Sequence, residues 1–142
     1  MKMTLSKQLQ VFLMYARSNK DAVHRLYNRL GKDGAKAWLD EEKILPGQDW
    51  QYEIRKAIYS SDVIIVCLSR RFNRQGGYRH EELRIALEKA NSAPEGEILI
   101  VPARLEICNL PQPLRRWQRV DLFEADGYKN LMNALKEHTV LA

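Results

Sequence analysis

A chain of 142 residues with 45% hydrophobic and 29% charged side chains has the composition of one globular domain large enough for a real core. Its formal net charge of +5 permits an anionic partner without naming one. No run approaches the ~18 apolar residues of a membrane span, and Met1 to Gln10 lacks the apolar centre of a signal peptide. The two cysteines, Cys67 and Cys108, have neither disulfide nor metal-ligand spacing, so the expected setting is reducing and cytoplasmic, with no membrane contact.

Val11 to Tyr15 is the first apolar run and predicts a strand. Ser18 with Asp21 three residues on forms a capping pair. Val23, Leu26, Tyr27 and Leu30 then recur at helical spacing, and Gly31 is placed to end the helix. Ala35 to Leu39 predicts a short second strand that runs out at Asp40. Pro46-Gly47 marks a turn in the loop from Glu41 to Gln48, with Ile44 and Leu45 as apolar residues exposed at its tip. Asp49 can cap a helix whose apolar face is Trp50, Ile54, Ala57 and Ile58, in which Trp50 reads as core or staple.

Asp62 to Leu68 is unbroken, β-branched and apolar, the pattern of a parallel strand buried on both faces. Ser69 to Gly77 is a glycine-containing loop, with Arg70, Arg71, Arg74 and Arg79 around it. Leu83, Ala86, Leu87 and Ala90 restore the helical period, with Glu81 and Glu82 in the first turn. Asn91 to Gly96 is a polar connection and Ile98 to Val101 a fourth strand. Pro111 to Pro113 precedes a short edge strand at Trp117 to Leu122, and Tyr128, Leu131, Met132 and Leu135 mark the last helix.

This alternation predicts an α/β fold: a flavodoxin-like three-layer sandwich with a five-stranded parallel sheet in the order 2-1-3-4-5, flanked by helices. No repeat or linker divides residues 1–142, which read as a single domain with a core of about 11–137. The order puts the topological switch point between the first and third strands, where ligands bind beyond the carboxyl ends. The loops leaving those strands are Ala16-Arg17-Ser18 and Ser69 to Gly77, and the second leads into Glu82, the expected functional centre.

Each candidate also has a structural explanation. First-turn acidic residues offset the helix dipole by ~0.3–1 kcal/mol, which applies to Glu81 and Glu82 alike. Asp40 follows a strand but also suits a turn, and His80 has no Cys or Asp at metal or triad spacing. No phosphate-binding GxxxxGKS/T, dinucleotide GxGxxG or hydrolase GxSxG motif occurs. Tyr15-Ala16-Arg17 lacks the acidic pair of a phosphorylation receiver. The second basic group, Arg115, Arg116 and Arg119, accompanies no zinc-finger spacing or aromatic RNA-binding signature, which argues against nucleic acid as a partner.

Phe12 to Tyr15 with Arg17-Ser18 resembles the first box of Toll/interleukin-1 receptor (TIR) domains. Trp38-Leu39-Asp40-Glu41-Glu42-Lys43-Ile44-Leu45-Pro46-Gly47-Gln48-Asp49-Trp50 is similar to the second box and BB loop of the bacterial type. Gly77-Tyr78-Arg79-His80-Glu81-Glu82-Leu83 resembles the segment that carries the catalytic glutamate of NAD-cleaving TIR domains. The resemblance implies that Glu82 is catalytic and that Tyr15, Arg17, Asp40, Lys43 and Tyr78 bind substrate. It also implies a BB loop at Ile44, Leu45, Pro46 and Gly47 that serves assembly. Ala16 and Met14 depart from the polar residues found there in some members.

The implied activity is that of an NAD glycohydrolase with no cofactor and no metal, NAD being the substrate. It would release nicotinamide plus ADP-ribose or a cyclic isomer, and be activated by homo-oligomerisation with other TIR domains in defence or cell-death signalling. The alternative is a non-catalytic TIR module acting by homotypic assembly alone.

Overall fold

The computed structural model describes residues 8–39, 44–74, 78–94 and 97–141. Strands β1 (Gln10–Met14), β2 (Lys36–Trp38), β3 (Val63–Leu68), β4 (Leu99–Arg104) and β5 (Val120–Asp121) form one sheet. Its order is β2-β1-β3-β4-β5 and each neighbouring pair is parallel, as the alternation of elements predicts. The helices are α1 (Lys20–Lys32), α2 (Trp50–Tyr59), α3 (Arg70–Arg74), α4 (Tyr78–Ser92) and α5 (Gly127–Leu141).

The two-residue period of the strands divides the core in two. Val11, Leu13, Tyr15, Val63, Ile65 and Cys67 pack with Val23, Leu26 and Leu30 of α1 and Leu131, Met132 and Leu135 of α5. Phe12, Met14, Ala16, Ile64, Val66 and Leu68 pack with Ile54, Ala57 and Ile58 of α2 and Leu83, Ile85 and Ala86 of α4. All six residues of β3 are buried, which accounts for its apolar character on both faces.

Several boundaries differ from the sequence reading. Ser18 lies inside a 3-10 turn (Arg17–Asn19), so Asn19 precedes α1, and its side chain makes no capping bond. Gly31 lies within α1, and the reversal falls to Gly34 at φ 98°. There Gly34 N donates to Gly31 O at 3.2 Å and Ala35 N to Leu30 O at 3.0 Å, a Schellman pair that needs the left-handed glycine. The stretch after β3 is not all loop: buried Phe72 anchors the short helix α3 against the sheet. The last strand shrinks to Val120–Asp121, because Trp117 packs on the α2–α4 side and does not continue the ladder. Since α4 begins at Tyr78, Glu81 falls in its first turn and Glu82 opens the second.

Candidate active site

At the switch point a polar link joins the loops that leave β1 and β3. Ser69, the first residue after β3, is 1% exposed; its hydroxyl donates to Asn19 Oδ1 at 2.7 Å and accepts from Phe72 N at 3.0 Å. The loop leaving β3 is thereby fastened to the turn leaving β1. Arg17 is exposed on that turn. Tyr15 is fully buried and faces α1 and α5, whereas Met14 and Ala16 face the α4 side. Tyr15 and Glu82 therefore belong to opposite faces of the sheet.

The two adjacent carboxylates of α4 have different surroundings. Glu82 is 1% exposed, among the buried residues Leu83, Ile85 and Ala86. Glu81 lies about 100° further round the helix, with its side chain 43% exposed. There it accepts from Arg84 Nε at 3.1 Å, and that guanidinium holds its carboxyl below the usual range. Arg84 also pairs with Glu88, and Glu88 with Arg55 at 3.8 Å, so the chain of charges runs over the surface.

Glu82 lines a pocket of about 120 Å³ between α2 and α4, with Trp50, Ile54 and Ile85 around it and Arg55 and Glu81 also lining it. Asp49 holds the α2 side in place: its Oδ1 accepts from Gln51 N at 3.1 Å and Tyr52 N at 3.3 Å, as the sequence predicts for a cap. At the other end of the same interface, Lys89 Nζ donates to Ile58 O at 3.0 Å and also to Ser61 O. Burial there lowers the lysine pKa. Lys89 follows Glu82 by two turns, so it fixes α4 against α2 on the side that carries the pocket.

Leu45 to Gln48 form a type II turn, with Pro46 at its second position and Gly47 at φ 89°. Gln48 N donates to Leu45 O at 3.1 Å, and Leu45 N donates back to Gln48 Oε1 at 2.7 Å. The two apolar residues expected together at the loop tip are separated. Ile44 turns inward against the α2–α4 core, and Leu45 stands out at 62% exposure. Asp40, Lys43 and Gly77 lie outside the described residues, as does the side chain of Tyr78.

Trp50 departs most from its expected role. The sequence reads it as core or staple; it is 42% exposed and lines the pocket beside Glu82. Ser69 and Asn19 were not singled out by sequence reasoning; the signal available was a hydroxyl residue ending the most apolar strand. Cys67 is a buried thiol in β3, with burial pushing its pKa up to about 12. The second basic group holds the frame together: Arg115 Nε donates to Leu110 O at 3.1 Å, Arg116 lies 4.3 Å over the Trp117 ring, and Arg119 pairs with Asp121 at 3.2 Å.

A larger cleft of about 530 Å³ lies away from Glu82, between Val101, Trp117 and Leu131. Of the two carboxylates that line it, Asp121 and Glu124, Asp121 is held by a two-point contact from Arg104 at 2.7 and 2.9 Å. Among the described residues no group of three or more His, Cys, Asp or Glu could hold a metal ion, and no helix is long and apolar enough to cross a membrane.

Residues 11–135 match the TIR domain family model, and the chain belongs to that family. Among solved structures it is similar to the TIR domain of the Toll-related receptor TRR-2 from Hydra magnipapillata, with a TM-score of 0.74 and 22% identity over 91% of this chain and 99% of that one. It is also similar to a TIR-STING receptor from C. gigas (TM-score 0.70, 17% identity), covering 95% of this chain but 41% of the receptor. A third neighbour is the Clostridium botulinum CMP N-glycosidase BcmB, at TM-score 0.59 and 16% identity over 88% and 98% of the two chains. At these identities the likeness is one of fold. No curated protein sequence matches the chain significantly.

Proposed function

We propose that this TIR domain is an NAD glycohydrolase, releasing nicotinamide together with ADP-ribose or a cyclic isomer of it. The observation that carries the reading is Glu82: a carboxylate 1% exposed that lines a small pocket with Trp50, while its neighbour Glu81 lies at the surface with its side chain 43% exposed. The bond to be broken joins a pyridinium nitrogen to the anomeric carbon of ribose. Its electron pair leaves with the nitrogen, so nicotinamide departs neutral and needs no acid to protonate it. The sugar carbon becomes oxocarbenium-like, as in glycoside hydrolysis.

A single carboxylate held out of water stabilises that charge more strongly than one in solvent, and it can accept hydrogen bonds from the ribose hydroxyls. Water then bonds to the anomeric carbon and loses a proton to solvent, giving ADP-ribose. Attack by an atom of the same molecule gives a cyclic isomer. One carboxylate is enough for this chemistry, and it calls for no cofactor or metal. The neighbour named a CMP N-glycosidase supports the reading, because that name too denotes cleavage of a glycosidic bond to nitrogen.

Self-association with other TIR domains through the turn at Leu45, Pro46 and Gly47 would switch the activity on, and the 62% exposure of Leu45 favours that role. The same exposure supports the second reading, a non-catalytic assembly module. Incubating NAD with increasing protein and following products by mass spectrometry separates the two. Nicotinamide release that rises faster than linearly with concentration is expected. Intact NAD at every concentration, with self-association retained, leaves only the assembly module.

A further inference from the structure

On the face of the sheet opposite α4, one stripe of α1 lines a groove of about 440 Å³. Ala22, Arg25, Leu26 and Arg29 follow at i, i+3, i+4 and i+7, and Leu105 and Leu122, just past the ends of β4 and β5, complete the floor. Gly127 lets α5 begin against the end of β5, where an added Cβ would collide with Asp121 O. The next residue, Tyr128, closes the groove, and its hydroxyl donates to Asp33 Oδ2 at 2.6 Å. The Arg29 guanidinium lies 3.8 Å over that ring, so it rests flat on a side chain that is itself pinned.

Charge decides what fits there. Arg25 and Arg29 are exposed, and among the described residues no acidic side chain lines the groove. The carboxylates adjoining it in the chain are engaged by other groups: Asp33 by Tyr128, Asp121 by Arg104, and Glu106 by Arg70 N at 2.8 Å. Asp21, one turn before Arg25, is exposed and does not line it. The groove thus presents two cations one helical turn apart, about 6 Å along α1, beside a floor of leucines. Carboxylates answer the guanidiniums through forked contacts, and an aliphatic side chain answers the leucines. We propose that the groove docks an acidic segment of a partner protein, its aliphatic anchor on Leu26, Leu105 and Leu122 and its carboxylates on Arg25 and Arg29. A second copy is the poorer match, because a chain of net charge +5 brings its own excess of cations to a basic rim. A phosphate surface, whether of lipid head groups or nucleic acid, meets the arginines and leaves the leucine floor uncovered. The groove lies on the α1–α5 side of the sheet, so the proposal stands apart from the glycohydrolase reading.

The probes are pools of labelled decapeptides, read by fluorescence polarisation against the whole chain. The first pool sets aspartate or glutamate around a central leucine. The second carries the matching amides, and the third keeps the acids but has glycine in place of leucine. Only the first should bind, and Arg25→Gln and Arg29→Gln should each weaken it about tenfold, the scale of one charge-assisted contact. Arg29→Lys keeps the charge but not the flat fork on Tyr128, and should recover part of the loss. Arg25 is exposed, so Arg25→Gln should melt as wild type does, and its lost binding is then a lost contact. No binding by the first pool, equal binding by either control pool, or full binding by both glutamine variants overturns the proposal. Wild-type chain that sediments with phosphatidylserine vesicles when Arg25→Gln does not would make this a lipid contact and overturn it too. Self-association weakened by Arg25→Gln would make it an interface between copies, with the same consequence.

Discussion

Ser69 and Asn19 join the two loops that leave the switch point, hydroxyl to side-chain oxygen at 2.7 Å. The same hydroxyl accepts the buried N–H of Phe72, so one atom serves both the link between the loops and the short helix α3. Ser69→Ala removes both contacts and leaves Phe72 N without its acceptor. An unpaired buried polar group costs ~1–3 kcal/mol, and the urea midpoint should fall accordingly. An unchanged midpoint would show that the link carries no stability.

The turn after β2 offers a second test. Pro46→His and Gly47→Ala should both lower self-association and NAD cleavage together, but their effects on stability should part. Gly47 has φ 89°, although nothing lies within 4 Å of an added Cβ. An L-residue in that left-handed region costs ~1–2 kcal/mol, so Gly47→Ala should lose stability by about that amount while Pro46→His stays close to wild type. Pro46-Gly47 at the centre of a turn is the sequence sign of this conformation, because a type II turn needs a positive φ at its third residue. Sedimentation and turnover unchanged in both variants would remove the coupling of this loop to activity.

Much of the fold was legible because burial on both faces leaves a plain signature. The apolar run at Val63 to Leu68 gave its strand directly, and the i, i+3, i+4 spacing of Tyr128, Leu131 and Met132 gave the last helix. The errors arose where long-range contacts chose between locally equivalent residues. Ser18 and Asn19 are both common capping residues, yet α1 starts after Asn19 without a side-chain cap, the Asn19 oxygen being taken by the Ser69 hydroxyl. Gly31 and Gly34 are both glycines, and only the Schellman pairing selects Gly34. In the site, Glu81 and Glu82 look alike in sequence, and Trp50 satisfies the period of a core position. What distinguishes them is the packing of α4 on α2, which no single segment encodes.

The salt link under β4 should make part of the stability acid-sensitive. Asp121 has its pKa lowered, first by the hydrogen bond from Arg104 and further by Arg119. A depressed carboxylate contributes stability that is present above its unfolded value of ~3.9 and is lost as pH falls through the folded value. Wild type and Asp121→Asn should therefore differ most near neutrality and converge in acid. Urea midpoints measured across that range check this, and a difference independent of pH would contradict it.

Arg17 is exposed on the turn after β1, the position from which a guanidinium could meet a pyrophosphate. A charge-assisted contact is worth roughly 1.5–3 kcal/mol, so Arg17→Ala should raise KM for NAD about tenfold or more, with kcat nearly unchanged. A loss confined to thermal stability would place Arg17 in the frame of the turn and outside the site.

The contrast between Glu82 and Glu81 is the most direct test of the proposed chemistry. The carboxylates are adjacent in sequence, but Glu82 is 1% exposed and lines the pocket, whereas the Glu81 side chain is 43% exposed at the surface, where Arg84 meets it. Glu82→Gln nearly preserves shape and removes the charge that would face the developing oxocarbenium centre. Loss of one preorganised electrostatic group costs about two to three orders of magnitude in turnover, and NAD cleavage should fall on that scale. Glu81→Gln breaks a surface pair worth ~0–1 kcal/mol and should leave cleavage largely intact. Melting temperatures of both variants identify any loss that comes from unfolding. Equal losses of activity in two folded variants would point to a shared effect on the helix, and full activity in Glu82→Gln would rule out the catalytic role.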